Sequence, residues 1–386
     1  MSTLAITNIG TLVSGDLGKG LLDADAILCD NDIIAHIGRD LDISSVDVVV
    51  DAQGTTVIPG LIDSHCHVVL GDYTPRQKQV DFLDSYVHGG ITSVVSAGEG
   101  LQAPGQPLDP VAAKSLAIVA HKCFHNFRPN GMKVHAGCVI LQPGLTEADF
   151  AEMVQHGVRY AKYGFGGYAD PRDGEPDVRN AQKYGLCVMA HSGGISIPGA
   201  IPITHDILLF VNPDVCGHVN GGTTSLDDDG VASLINDSNM ALQIVQAGNL
   251  RSALHILKLA RQTNVLSRIC IGSDTPSGTG VIPMCILKTI CELTSLGELQ
   301  PAEAIALATG NNARIFRLPT GIIDVGWPAD FVICDAPVSS KAHDALGAIV
   351  HGDIPGISCV IIDGQVQVRQ SRNTPLANRL ATFMGV

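Results

Sequence analysis

Between about Thr55 and Phe316 the chain repeats one pattern eight times: a short, almost wholly apolar run, then a longer stretch whose apolar residues recur at helical spacing. The runs are VIPGLIDSHCHV, ITSVVSAG, MKVHAGCVIL, RYAKYG, LCVMAH, DVCGHV, MALQIVQAG and RICIGSD. A strand that is apolar on both faces has to be covered on both. These runs therefore predict parallel strands flanked by helices such as TEADFAEMVQHG and LRSALHILKLARQ. Thr146 followed by Asp149 reads as a capping box that starts the first of those helices. Eight units favour closure into an α/β (β/α)8 TIM barrel over an open doubly wound sheet, and a barrel carries its reactive groups at the carboxyl ends of its strands.

The chain ends have another texture. LAITNIG, DAILCDNDIIAHIG and VDVVVDAQG read as a β meander near the N-terminus, and ADFVICDAP and ISCVIIDGQVQV return to the same alternation near the C-terminus. The two ends are expected to build one small β-sandwich domain from residues 1–54 and 318–386, around a catalytic barrel of residues 55–317. A length of 386 residues suits this division, since such barrels take about 250 residues.

Lys and Arg number 24 against 38 Asp and Glu, a formal net charge of -14, and no basic cluster stands out. Nucleic acid is excluded as a partner on that ground, because its phosphates need Lys and Arg to neutralise them. The same sign repels anionic lipid, and no apolar run is long enough to span a bilayer, so no membrane partner is expected. The opening MSTLAITNIGTLVSGD has no basic region leading into an apolar core, which predicts a soluble, cytoplasmic protein. The eleven cysteines form no C-x-x-C pair and lie mostly in apolar runs, as buried reduced thiols would.

Ligand-type side chains then fall where a barrel would use them. His65 and His67 close the first run, and a one-residue spacing in a strand sends both imidazoles to the same face. Alone, such a pair is as often a hydrogen-bonded surface feature. But His191 closes LCVMAH, His218 closes DVCGH and Asp274 closes RICIGSD, each on a different predicted strand. Five such groups on one rim point to a metal centre, and neutral imidazole is a common ligand for zinc and similar ions. Two adjacent cations would need an anion between them. Lys162, in RYAKYG, is the candidate: a buried amine that loses its proton can take up CO2 as a bridging carbamate. The alternative is that Lys162 turns outward, or pairs with Asp170 or Asp173.

These residues resemble the metal-dependent amidohydrolases, over almost the whole chain. VIPGLIDSHCH resembles their first-strand motif. Their ligand order of H-x-H on strand 1, carbamylated Lys or Glu on strand 4, His on strands 5 and 6 and Asp on strand 8 maps onto His65, His67, Lys162, His191, His218 and Asp274. ATGNNARIFRL and GIIDVGWPADFVICD are similar to the family's return from barrel to sandwich. HCHVVLGDYTPRQK, AHSGGISIPG, GHVNGG, SDTPSGTGVIP and GDIPGISCVIIDG resemble members that open a cyclic amide. The resemblance implies two divalent metal ions, zinc at both sites or iron at one, a small heterocyclic amide as substrate, and a homo-oligomer, commonly a tetramer. It also implies that Asp274 takes a proton from the attacking water and returns it to the leaving nitrogen.

Arg76, nine residues past His67, is a candidate clamp for a substrate carboxylate, with a surface pair to Asp72 as the alternative. Two rival readings are a mononuclear deaminase or other amidohydrolase of the same family and a metal-free scaffold of the same fold. Such deaminases carry H-x-x-E at the strand-5 histidine, where this chain reads His191-Ser192-Gly193-Gly194. The scaffold would lack ligands that this chain retains. GFGGY and HVNGG match no phosphate-loop pattern and read as close backbone approaches, with HVNGG also a candidate substrate contact. The HGG run at His88–Gly90 reads as a helix-to-strand turn.

Overall fold

The computed structural model describes residues 3–68, 81–98, 109–196, 200–276 and 280–385. The N-terminal segment forms β1 (Thr3–Thr7), β2 (Thr11–Val13), β3 (Leu21–Leu22), β4 (Ala26–Asp30), β5 (Ile33–Gly38), β6 (Val48–Asp51) and β7 (Thr56–Pro59). The parallel strands follow as β8 (Leu61–Cys66), β9 (Ile91–Ser96), β10 (Lys133–His135), β11 (Cys138–Ile140), β12 (Tyr160–Tyr163), β13 (Cys187–Ala190), β14 (Val215–Cys216), β15 (Ala241–Val245) and β16 (Ile269–Gly272). The chain ends in β17 (Phe331–Asp335), β18 (Gly356–Ile362), β19 (Gln365–Val368) and β20 (Thr382–Met384).

All eight predicted runs carry a parallel strand. β8, β9 and β10 pair side by side, and β11 to β16 pair in chain order. The third run is interrupted at Gly137, which has φ 97° and would set a Cβ 2.7 Å from that of His121, so β10 and β11 are two pieces of one expected strand. A parallel bridge between Cys66 and Thr275 joins the end of β8 to the residues after β16. Helices separate the strands: α1 (Phe82–Val87), α2 (Pro110–Asn126), α3 (Glu147–Gln155), α4 (Glu175–Lys183), α5 (His205–Val211), α6 (Asp228–Asp237) and α7 (Leu250–Gln262), with α8 (Cys285–Ser295) after β16. The Thr146 and Asp149 capping box is present at α3. Asn249 caps α7 by accepting from the Ser252 backbone N–H, an interaction worth about 1 kcal/mol. That helix buries Ala253, Ile256, Leu257 and Ala260, one face at helical spacing, and each Ile or Leu so buried contributes roughly 1.5–3 kcal/mol.

Along the strands, side chains alternate between two apolar clusters. Val94, Ala161, Val188, Leu242 and Ile271 pack towards the helices. Val95, Tyr160, Cys187, Met189, Ala241 and Cys270 pack together on the opposite face, closed off by Phe316 and Leu318. This second face matters for the site. Counting on by two places Lys162 after Tyr160, His191 after Met189 and Gln243 after Ala241 on that same face.

The terminal segments pair as β20-β6-β1-β4-β5 and as β19-β18-β17-β7-β2-β3. Both sheets contribute to one core, with Leu4, Ile6, Ile27 and Val50 from the first and Val57, Phe331, Ile333 and Ile361 from the second. Two expectations change here. The N-terminal strands are not a meander, because β1 sits between β4 and β6 and runs parallel to β6. VIPGLIDSHCHV is two strands, since β7 pairs with β17 and β2 while β8 pairs with β9. Gly60 is the switch: its N–H donates to the Asp330 carbonyl, and a Cβ there would lie 2.2 Å from Thr92 Oγ1. The eleven cysteines are free thiols, all buried except Cys123. No helix of the described residues is long and apolar enough to cross a membrane. His88–Gly90 is a helix-to-strand turn between α1 and β9, as its sequence reads.

Candidate metal centre

The strands stop where their polar residues begin. His65 is the penultimate residue of β8 and His67 just past it, His191 follows β13 directly, His218 lies two residues past β14 and Asp274 two past β16, while Lys162 stands inside β12. Close backbone approach makes the convergence possible. A Cβ at Gly272 would fall 2.6 Å from that of His65, and one at Gly164, where φ is 105°, 2.7 Å from that of His191. His218 and Asp274 adopt φ of 38° and 57°, a left-handed backbone costing about 1–3 kcal/mol per residue, of the kind that collects at functional sites.

Asp274 Oδ1 lies 3.0 Å from His67 Nε2 and 3.5 Å from His65 Nε2. Ligand atoms of His65, His218 and Asp274 all fall within 4.8 Å of one another. His191 Nδ1 is 3.0 Å from His218 Nε2, and the His65 ring centroid is 5.4 Å from those of both His67 and His218. Lys162 is buried beside them, its Nζ 5.9 Å from the centre of the Phe165 ring, which packs edge-on against His191. Asp170 is occupied in capping the turn at Pro171–Gly174.

Hydrogen bonds fix which ring nitrogens are available. His191 Nε2 is 2.8 Å from the Gly194 carbonyl and donates to it, leaving the Nδ1 lone pair towards His218. Gly194 is the position where the deaminase pattern would have glutamate. His65 Nδ1 is 2.6 Å from Gln243 Oε1, leaving Nε2 as the acceptor that faces Asp274. Two acceptors directed at each other across 3.5 Å suit a shared cation, and this donor set, imidazole nitrogens with a carboxylate, suits zinc and similar divalent ions. Burial, then the Lys162 ammonium, pushes His65 well below the usual histidine range, and burial with His191 and Lys162 does the same to His218. Burial alone would raise the Asp274 carboxyl, but His65, His67 and His218 outweigh it and hold the group well below the usual carboxylate range. Burial thus favours the neutral imidazole at His65 and His218, the form that ligation needs.

Three supporting residues were not anticipated from the sequence. Gln243 reaches His65 from the middle of β15. Asp63 Oδ1 accepts from the His65 and Ser273 backbone N–H groups at 3.0 and 2.8 Å, tying β8 to the segment after β16. Burial raises its carboxyl to about 6. Ser273 Oγ donates to the His65 carbonyl. Asp63 had a readable signal, since residues 63, 65 and 67 alternate in one run. In HVNGG, Asn220 has a structural role. Its side chain accepts from the Val245 N–H at 2.8 Å and donates to the Val245 carbonyl at 3.0 Å, so it ties the segment to β15. Arg76 lies outside the described residues.

A model of the amidohydrolase family matches residues 217–366, and full-length relatives carry the similarity across the remainder. The chain belongs to the amidohydrolase superfamily, hydrolases that use divalent metal ions and act on C–N bonds. Enamidase of Eubacterium barkeri is 44% identical over 387 aligned residues, covering 100% of both chains. A crystal structure of enamidase matches with a TM-score of 0.95 over 99% of this chain and 100% of that one. Imidazolonepropionase of Streptomyces griseus is 26% identical over 95% of this chain and 99% of its own. A D-hydantoinase from Thermus sp., 17% identical, shares the fold with a TM-score of 0.68 and 96% of each chain covered.

Proposed function

We propose that this enzyme opens a cyclic amide by hydrolysing its C–N bond, the substrate being a small heterocycle, in some cases one bearing a carboxylate. The observation that carries the reading is the approach of His65 Nε2 to Asp274 Oδ1, two acceptors at 3.5 Å with a third ligand, His218, in reach, in a chain 44% identical to an enamidase along its whole length. Two divalent ions fit this reading, zinc at both positions or iron at one. His65, His67, His191, His218 and Asp274 would hold them, with a carbamate on Lys162 as the bridging anion. Bound there, such ions lower the pKa of water from 15.7 to about 7 and polarise a carbonyl.

The protein's own groups do the remainder. Asp274, ionised through the surrounding histidines, takes the proton of the attacking water and delivers it to the departing ring nitrogen. Gly194 holds the His191 ring so that Nδ1 faces inward. Arg76 is the proposed clamp for a ring carboxylate. The parallel strands are read as a closed (β/α)8 barrel of residues 55–317 and the terminal sheets as a β-sandwich of 1–54 and 318–386. The pairing order, the bridge from Cys66 to Thr275 and the shared terminal core support this. The same reading makes the protein a cytoplasmic homo-oligomer, a tetramer by resemblance.

The test is a screen of five- and six-membered cyclic amides with and without a ring carboxylate, using protein of measured metal content. Ring opening of at least one amide is expected, with loss on chelation. Metal-loaded protein that opens none, or that releases ammonia from an exocyclic amine instead, would overturn the assignment.

A further inference from the structure

β15 supplies no member of the proposed ligand set, yet it places a fully buried amide in the centre of that set. Gln243 is the one polar side chain of the strand ALQIV and has no solvent exposure. Its Nε2 donates to the Ser64 carbonyl at 3.0 Å and to Ser64 Oγ at 2.8 Å. Its Oε1 lies 2.6 Å from His65 Nδ1 and accepts from the His218 backbone N–H at 3.3 Å. Turning the amide over would set carbonyl against carbonyl at Ser64 and an NH2 group against the His218 N–H. The orientation is therefore determined by its neighbours. Ser64 Oγ in turn donates to the Ile271 carbonyl, so the network reaches β16.

One consequence follows for each histidine. Because Oε1 can only accept, the His65 proton resides on Nδ1 and Nε2 keeps its lone pair towards Asp274. His218 has the strained φ of 38°, and the hydrogen bond from its N–H to Oε1 helps hold the ring in that place. Both rings belong to the proposed ligand set. We infer that Gln243 is a positioning residue for the metal centre, its single amide oxygen setting the tautomer of His65 and anchoring His218. The inference rests on the proposed ligand roles of those two histidines.

Three variants test it. Gln243→Leu removes the acceptor, Gln243→Glu keeps it when its second oxygen is protonated and donates to the Ser64 carbonyl in place of Nε2, and Leu242→Ala destabilises the same strand through a side chain on its helix-facing side. Competition of the apo proteins against a chromophoric chelator for Zn2+, the visible spectrum of the Co2+ forms and the Tm of each apo protein would be measured. Gln243→Leu should weaken binding of both ions by about 10–100-fold and shift the Co2+ bands, as loss of an outer-sphere partner does. Gln243→Glu should stay within about threefold of wild type on the same scale. Leu242→Ala should lower Tm and leave affinity unchanged. If Gln243→Leu binds both ions like wild type, or Gln243→Glu loses as much as Gln243→Leu, or affinity falls in step with Tm in Leu242→Ala, the inference is wrong. Wild-type protein that binds neither Zn2+ nor Co2+ would instead overturn the ligand roles, and this inference with them.

Discussion

Buried charge is treated in opposite ways in the two halves of this molecule. In the terminal sheets each buried carboxylate meets its donors. Asp335, without solvent exposure, receives Arg379 Nε and Nη2 at 2.9 Å each, and Asp330 receives Lys133 Nζ and Thr320 Oγ1 at 2.6 Å each. At the carboxyl ends of the parallel strands, imidazole acceptors and the Asp274 carboxylate are instead turned towards one another, on backbone that includes two left-handed residues. The first arrangement closes its own electrostatics and stabilises the fold. The second, in the reading proposed above, is completed by divalent cations, and a region that breaks local rules in this manner is where function is to be sought.

The sharpest way to break the comparison is Asp274→Asn, nearly isosteric but unable to carry a proton. Turnover should fall by about 10²–10⁴-fold with Tm little changed. A mutant retaining more than half of wild-type kcat would remove Asp274 from proton transfer. Lys162→Ala should come next, with metal content and activity falling by about tenfold or more. Added acetate or propionate with fresh metal should restore part of that activity, whereas a mutant with its full metal complement and normal rate would show that the bridge lies elsewhere.

Arg379→Ala sharpens the other side. It leaves the Asp335 carboxylate buried without its fork of donors and should lower stability by about 1–3 kcal/mol, with kcat per folded chain and metal content unchanged. Loss of metal in this variant would mean that the two halves are not separate in function. The smallest effect concerns His135, at the end of β10. Burial, then the Lys133 charge, pushes it down to about 4 from an ordinary value of about 6.5. Between those values the unfolded chain takes up a proton that the folded one refuses. His135 therefore stabilises fully above about pH 6.5, and its contribution is lost as pH falls through that window towards about 4. Denaturant titrations of His135→Gln should show a shallower acid-side loss than wild type, and parallel curves would contradict it.

The strand-end positions of His65, His67, His191, His218 and Asp274 were legible because each apolar run stops abruptly at a ligand-type residue. Gln243 was not, since an amide inside an apolar run is readable as buried and polar but its partners come from strands far off in the chain. The same limit explains VIPGLIDSHCHV. No polar residue marks the join between VIP and LID, and the division at Gly60 depends on Asp330 and Thr92, which only the tertiary structure brings there. Likewise the parallel pairing of β1 with β6 is a long-range choice that local alternation does not encode, and the exposed strand β20 has no apolar pattern to reveal it.

The most direct test of a strand-end centre that needs cations is a metal titration of chelated protein, with ring-opening activity against a cyclic amide read at each addition of Zn2+. Activity should be absent at the start, rise with metal and reach its plateau at two equivalents per chain. Full activity in metal-free protein, or a plateau reached with no more than one equivalent bound, would contradict the account.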